Sequence, residues 1–236
     1  MAANTRIAGG SIAVALCALC LPLPTQAGRP LTTEDAAVLQ PKCCQLESWL
    51  DRSRDATAGW LVPSCNFGTG IEWQVGFART REAGEARFSE AYAQAKTVFI
   101  EPANDGFRVG LVVGVARRPL NENRRGWDHP FLTVPVTSTF GDTAIHANLG
   151  WSRNGEARRD ATTWALAIEK PVGALTAVAE AFGENTSRPF FRAGMRWTAI
   201  ADALDLDVTV VTRLGGDRSE GYVSLGFTFM TRPFLP

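Results

Sequence analysis

Near its end the chain reads YVSLGFTF, a stretch that switches strictly between two kinds of residue. Val223, Leu225, Phe227 and Phe229 point to one side; Tyr222, Ser224, Gly226 and Thr228 point to the other. Period-two alternation marks a β-strand with one apolar face. The same rhythm gives twelve strand candidates, near 44–53, 57–65, 70–79, 89–100, 106–117, 130–139, 143–152, 162–170, 174–182, 189–198, 203–213 and 221–230. Each is long enough to cross a bilayer as a tilted strand. An even number lets both ends of a closed sheet emerge on one side. What the rhythm leaves open is which row meets water. In a soluble sheet the apolar row lies on a core; in an outer-membrane barrel it faces lipid and the polar row lines the interior.

The first residues favour export. After Arg6 comes the uncharged run IAGGSIAVALCALCLPL, then Thr25-Gln26-Ala27. Small residues at Thr25 and Ala27 suit signal-peptidase cleavage after Ala27, so residues 1–27 read as a signal peptide. Pro22 and Pro24 argue against a membrane anchor. Leu16 and Leu19 stand before Cys17 and Cys20 where a lipoprotein leader has a small residue. The expected division is an N-terminal periplasmic segment at 28–42, a barrel at 43–230 and a tail at 231–236. The mature chain of roughly 210 residues suffices for one domain. Lys and Arg number 24 against 24 Asp and Glu, so net charge gives no reason to expect nucleic acid as a partner. Helical periodicity is scarce outside the leader; TEDAAVL reads as a short helical turn capped by Thr33.

The connections alternate in character. EPANDG, FGD, KPVG and TAIADA are short; ARTREAGEARF, ARRPLNENRRGWDH, SRNGEARRD, GENTSRP and RLGGDRSEG are longer or highly charged. A barrel with periplasmic turns and external loops sorts them this way, whereas the crossovers of a sandwich disturb the order. With the first strand running outward, Phe77, Trp151, Phe182, Trp164, Phe190 and Tyr222 fall near the outer strand ends. Phe99, Phe107, Trp197, Phe227 and Phe229 fall near the inner ends, giving two aromatic belts.

The opposite row is charged. It holds Gln45, Glu47 and Asp51; Glu72 and Gln74; Gln94 and Lys96; Arg108; His146 and Asn148; Glu169; Glu180; Arg192 and Arg196; Asp205 and Asp207. A soluble core does not tolerate so many charges, but a wet lumen does. Glu180, then Arg192 and Arg196, then Asp205 and Asp207 form an acid–base–acid series on successive strands, placed to pair across the sheet. Such a network either rigidifies the lumen or lines a route for a polar solute.

Cys43, Cys44 and Cys65 remain after the leader. Folding the first hairpin about Arg54-Asp55 sets Cys44 opposite Cys65, Trp49 opposite Trp60 and Leu46 opposite Pro63. A disulfide from Cys65 to Cys44, or to Cys43, is therefore expected in an oxidising compartment. No metal site is expected, since no His or second cysteine cluster accompanies these residues. No cofactor motif or catalytic signature occurs. His146 is the one residue around which a barrel enzyme acting on lipid is conceivable, with Ser138 or Glu169 on adjacent strands.

Several stretches in order, RPLTTEDAAVL, CQLESWLDRS, AKTVFIEPANDGFRVGLVVG, IHANLGW, TTWALAIEKP and VAEAFGE, resemble the proteobacterial outer-membrane proteins grouped as the "MetA pathway of phenol degradation" family. The resemblance implies a barrel, an outer-membrane location and a lean toward uptake of aromatic compounds; it brings no set of functional residues. The tail MTRPFLP departs from it by running past the terminal aromatic.

The expectation is an all-β, up-and-down antiparallel transmembrane barrel of about 12 strands in the outer membrane. It passes small molecules, hydrophobic or aromatic ones among them, through a charged lumen, and is not an enzyme. The alternative is a sealed barrel acting through Arg-rich loops such as ARRPLNENRR and NGEARRD. Expected partners are outer-membrane lipid, lipopolysaccharide, the barrel-assembly machinery and a small-molecule solute.

Overall fold

The computed structural model describes residues 28–100, 106–118, 126–155, 157–216 and 220–235. The leader at 1–27 and most of ARRPLNENRR lie outside these described residues. The strands are β1 (Cys44–Ser53), β2 (Ala56–Asn66), β3 (Ile71–Glu82), β4 (Glu85–Ile100), β5 (Phe107–Arg117) and β6 (His129–Phe140). They continue with β7 (Thr143–Asn154), β8 (Arg159–Val172), β9 (Leu175–Glu184), β10 (Phe190–Ile200), β11 (Leu204–Arg213) and β12 (Tyr222–Met230). Each strand pairs antiparallel with its neighbours in sequence, and β12 pairs with β1, so the sheet closes into a barrel. Closure leaves no unpaired edge.

Register follows the side-chain pattern. Cys44 pairs with Cys65, Leu46 with Pro63 and Trp49 with Trp60 in the first hairpin. At the seam Trp49 meets Gly226 and Leu50 meets Leu225. A one-residue slip would turn every apolar side chain into the lumen, so the alternation itself holds the register. Leu50, Val75, Phe77, Leu149, Leu166, Val208, Val210, Val223 and Leu225 are exposed on the outer face. Glu47, Glu72, Lys96, His146, Glu169, Glu180, Arg192 and Asp207 are buried on the inner one. The apolar row therefore faces outward.

Three expectations are corrected. ARTREAGEARF is not a long loop: β3 and β4 run on to a two-residue turn at Ala83-Gly84, with φ of 48° and 87°. Positive φ at both positions is what a tight hairpin of matching twist needs. Second, Phe182, Phe190 and Tyr222 do not join an outer aromatic belt. Phe182 stacks on Phe190 with ring centroids 5.5 Å apart, and the Arg213 guanidinium lies 4.3 Å from the Phe190 centroid. Tyr222 accepts a hydrogen bond from Arg192 Nη2 on the lumen side. Phe77, Trp151 and Trp164 are exposed on the outer face, as are Phe99, Phe107, Trp197 and Phe229 toward the other rim.

The third concerns residues 28–42. This segment does not precede the barrel but lies inside it, and TEDAAVL forms no helix there. Its backbone donors go to lumen side chains, so a helical ladder has nothing left to offer them. The tail also packs in: Thr231 N donates to Cys44 O at 2.9 Å and Phe234 N to Lys42 O at 3.0 Å.

Candidate functional site

The interior is organised around the N-terminal segment. Arg29, 4% exposed, is its first anchor. Its Nη2 donates to Asp207 Oδ1 at 2.6 Å and to Ser224 Oγ at 3.0 Å, and the guanidinium lies 4.6 Å from the Trp49 ring centroid. Charge-assisted bonds of this kind are about twice as strong as neutral ones. Gly226 makes the space, for a Cβ there would lie 2.6 Å from Arg29 Nη2. The small, polar row of β12 is thus the bed on which Arg29 lies. Arg29 O accepts from Arg196 Nη1 at 3.2 Å, and Pro30 O accepts from Arg192 Nη1.

Glu180 is the second anchor. Its carboxylate accepts from Thr32 N, from Thr33 N at 2.9 Å and from Thr33 Oγ1 at 2.6 Å. Arg192 Nη1 approaches the same carboxylate at 3.1 Å. Farther along, Ala36 N donates to Thr137 Oγ1 and Leu39 N to Glu72 Oε2, both at 2.9 Å. Asn66 Nδ2 donates to Leu39 O at 2.7 Å. With its amide turned to satisfy its neighbours, Asn148 accepts from Glu34 N at 2.7 Å and donates to Glu34 O at 2.8 Å. An irregular backbone can lie at membrane depth only when its polar groups find partners like these.

The structure brings most of the sequence-derived residues into two groups. On one side, Arg196 pairs with Glu169 at 2.5 Å and approaches Asp205 at 4.0 Å, beside Arg192–Glu180 and Arg29–Asp207. On the other, Lys96 Nζ lies 3.0 Å from Asp35, 3.3 Å from Glu34 and 3.9 Å from Glu72. Asp51 accepts from Trp49 Nε1 at 3.1 Å, and Glu47 accepts from Arg29 N at 3.0 Å. Arg108 lies opposite Thr137 in the β5–β6 ladder. Sequence reasoning missed Arg29, Thr32, Thr33, Glu34 and Asp35, because an aperiodic segment gives no face to read. The available signal was charge: RPLTTED carries one base and two acids, residue types that a charged wall can pair.

Beside the segment a cavity of about 310 Å³ remains, bounded by Gly28, Glu34, Glu47, Asp51, Glu72 and Lys96. Trp49, Trp60, Tyr92 and Tyr222 add aromatic walls. Trp49 and Trp60 stack with centroids 5.2 Å apart and planes 11° from parallel. A disulfide joins Cys44 to Cys65, and Cys43 is buried as a free thiol. Burial pushes the Cys43 thiol above its ordinary range, which keeps it protonated.

The histidine does not build a catalytic group. His146 is fully buried, and its Nδ1 lies 2.9 Å from Thr137 Oγ1. Ser138 pairs with Ile145 and so shares the opposite face of the sheet. Glu169 is taken by Arg196. Among the described residues, no serine and carboxylate flank the imidazole as nucleophilic catalysis requires. At the loop end several arginines are spent within the chain: Arg118 holds Glu90 at 2.9 Å, Arg153 holds Asp160 at 3.4 Å and Arg213 holds Glu220 at 2.6 Å.

A closed antiparallel sheet of twelve strands, apolar outside and charged within, is the architecture of an outer-membrane β-barrel. The chain belongs to the family described as "Uncharacterised conserved protein UCP029691", whose model matches residues 15–230. No curated protein matches it. Among solved structures it is similar to the KdgM porin in complex with disordered oligogalacturonate, at a TM-score of 0.63 and 10% identity over 80% of this chain and 99% of that one. It is also similar to the COG4313 outer membrane channel from Pseudomonas putida F1, at 0.61 and 11% identity over 85% and 100%. An active-site mutant of outer membrane phospholipase A from Escherichia coli matches at 0.50 and 10% identity over 89% and 96%. At such identities these similarities define the fold and carry no residue roles.

Proposed function

We propose that this protein is a porin-like outer-membrane channel for small molecules, narrowed by its own N-terminal segment. One observation carries the reading. The lumen is lined by charged and polar groups, and it keeps a cavity beside a segment held to the wall largely by hydrogen bonds and ion pairs. A barrel serving only as a scaffold has no use for that space. Similarity to the KdgM porin and the COG4313 channel supports the same reading. The finer resemblance to the phenol-degradation family favours aromatic solutes, to which the Trp49–Trp60 stack, Tyr92 and Tyr222 offer ring faces. Export follows from cleavage after Ala27, which makes Gly28 the first residue of the mature chain.

The experiment is single-channel conductance in planar bilayers, with the mature chain set against a variant lacking residues 28–41. The expected result is a small conductance for the mature chain and one several-fold larger for the shortened chain. A sealed barrel is the second reading, favoured by how fully the segment is bonded to the wall. It predicts no conductance from the mature chain, even if the shortened one conducts, and that outcome would overturn the channel.

A further inference from the structure

Glu47 is a carboxylate without a cation. It sits in β1, 7% exposed, and its Oε1 accepts from Arg29 N at 3.0 Å and from Gln45 Nε2 at 2.9 Å. Both donors are neutral. Among the described residues no guanidinium or ammonium forms an ion pair with it. The nearby cations are committed elsewhere: the Arg29 guanidinium to Asp207, Lys96 to Glu34, Asp35 and Glu72. A buried carboxylate with no counter-charge is costly, whereas most others in this lumen are compensated.

The backbone of Gly28 lies against it as well. A Cβ placed on Gly28 would lie 2.5 Å from Glu47 Oε1, so the carboxylate rests against that α-carbon. While the leader is attached, the nitrogen there is a neutral amide. Hydrolysis of the Ala27–Gly28 peptide bond consumes one water, leaves a carboxylate on Ala27 and turns the Gly28 nitrogen into an ammonium. On a terminal glycine, rotation about the Cα–C bond carries that ammonium into the position a side chain would take. Cβ and amino nitrogen lie at similar distances from the α-carbon. The ammonium therefore reaches hydrogen-bond distance of Oε1 without moving the segment.

We propose that the α-ammonium of Gly28, created by leader removal, is the counter-ion of Glu47 and locks the N-terminal segment into the lumen. This rests on cleavage after Ala27 and does not depend on transport. It assigns to processing a structural outcome: the mature barrel holds one ion pair that its precursor lacks. It also explains the demand for glycine, since a side chain at position 28 would occupy the place of the carboxylate.

The test is competitive acylation of the folded, membrane-extracted protein across pH, read by mass spectrometry of its N-terminal peptide. The expected result is a chain starting at Gly28 whose α-amine titrates about one unit above the ordinary 7.7–8.0 and reacts roughly tenfold more slowly than a free one. Glu47→Gln should restore both to ordinary values. A second variant with one alanine inserted before Gly28 leaves Glu47 and the wall intact, moves the ammonium away and should do the same. A mature chain beginning elsewhere would overturn the cleavage and the pair together. A Gly28 amine of ordinary reactivity in the unaltered protein, or one unchanged by both variants, would overturn the pair alone.

Discussion

Glu180 shows how one side chain holds the segment. It is 2% exposed and accepts from two backbone amides, one hydroxyl and one guanidinium. Removing it orphans Thr32 N and Thr33 N and leaves the buried Arg192 without a carboxylate. Breaking one half of a buried pair in this way costs about 3–5 kcal/mol. We expect Glu180→Ala to free the segment without dismantling the barrel, because the strand ladders do not use this side chain. Limited proteolysis should then cut within residues 28–40 in the folded variant and spare the parent, while Glu180→Gln falls between them. Equal resistance in parent and alanine variant would refute this role. The Glu180–Arg192 pair was legible in sequence because both lie on the inward rows of adjacent strands, directly opposite in register. The bonds to Thr32 and Thr33 were not, because no periodicity says where an irregular segment lies. His146 shows the opposite case: it lies on the inward row with Thr137 beside it, while the parity of β6 turns Ser138 away.

At the scale of elements, the first hairpin was the most readable part of the chain. Two independent matches, Cys44 with Cys65 and Trp49 with Trp60, demand the same register, and the ladder has it. The disulfide spans 21 residues of sequence. By chain entropy such a loop adds about 3 kcal/mol, an upper figure here because the ladder already restrains the hairpin. We expect the mature protein to titrate one thiol when unfolded without reductant and three after reduction. Cys44→Ser and Cys65→Ser should each lower the urea midpoint and abolish the mobility change on reduction. Three thiols before reduction would contradict the bridge. Turn lengths were less legible than strand positions. The charge in ARTREAGEARF suggested a loop, but those residues extend β3 and β4 as a hairpin projecting beyond the apolar band. Solvated strands need no apolar row, so the alternation that marks the barrel wall fades there although the pairing continues.

The whole molecule has an uneven interior. On the side of β8 to β12 the charges nearly balance, each carboxylate having a guanidinium within 4 Å: Glu169 and Asp205 share Arg196, Glu180 has Arg192 and Asp207 has Arg29. On the side of β1 to β4, Lys96 is the one cation among the described residues that pairs with Glu34, Asp35 and Glu72, and Asp51 stands nearby, accepting from the Trp49 indole. The cavity lies along this second side. Low-dielectric walls focus the field of an uncompensated charge into such a space. The cavity is therefore acidic, and ions that cross the lumen beside it should be sorted by sign. Bilayer recordings under a tenfold KCl gradient should give a reversal potential favouring K⁺ over Cl⁻. Asp51→Asn combined with Glu72→Gln should move that potential toward zero, whereas Arg159→Gln, on the exposed loop-end rim, should leave it in place. Anion preference in the parent, or a potential indifferent to the acidic pair, would mean that ions take another route and that the surplus carboxylates serve only to hold the segment.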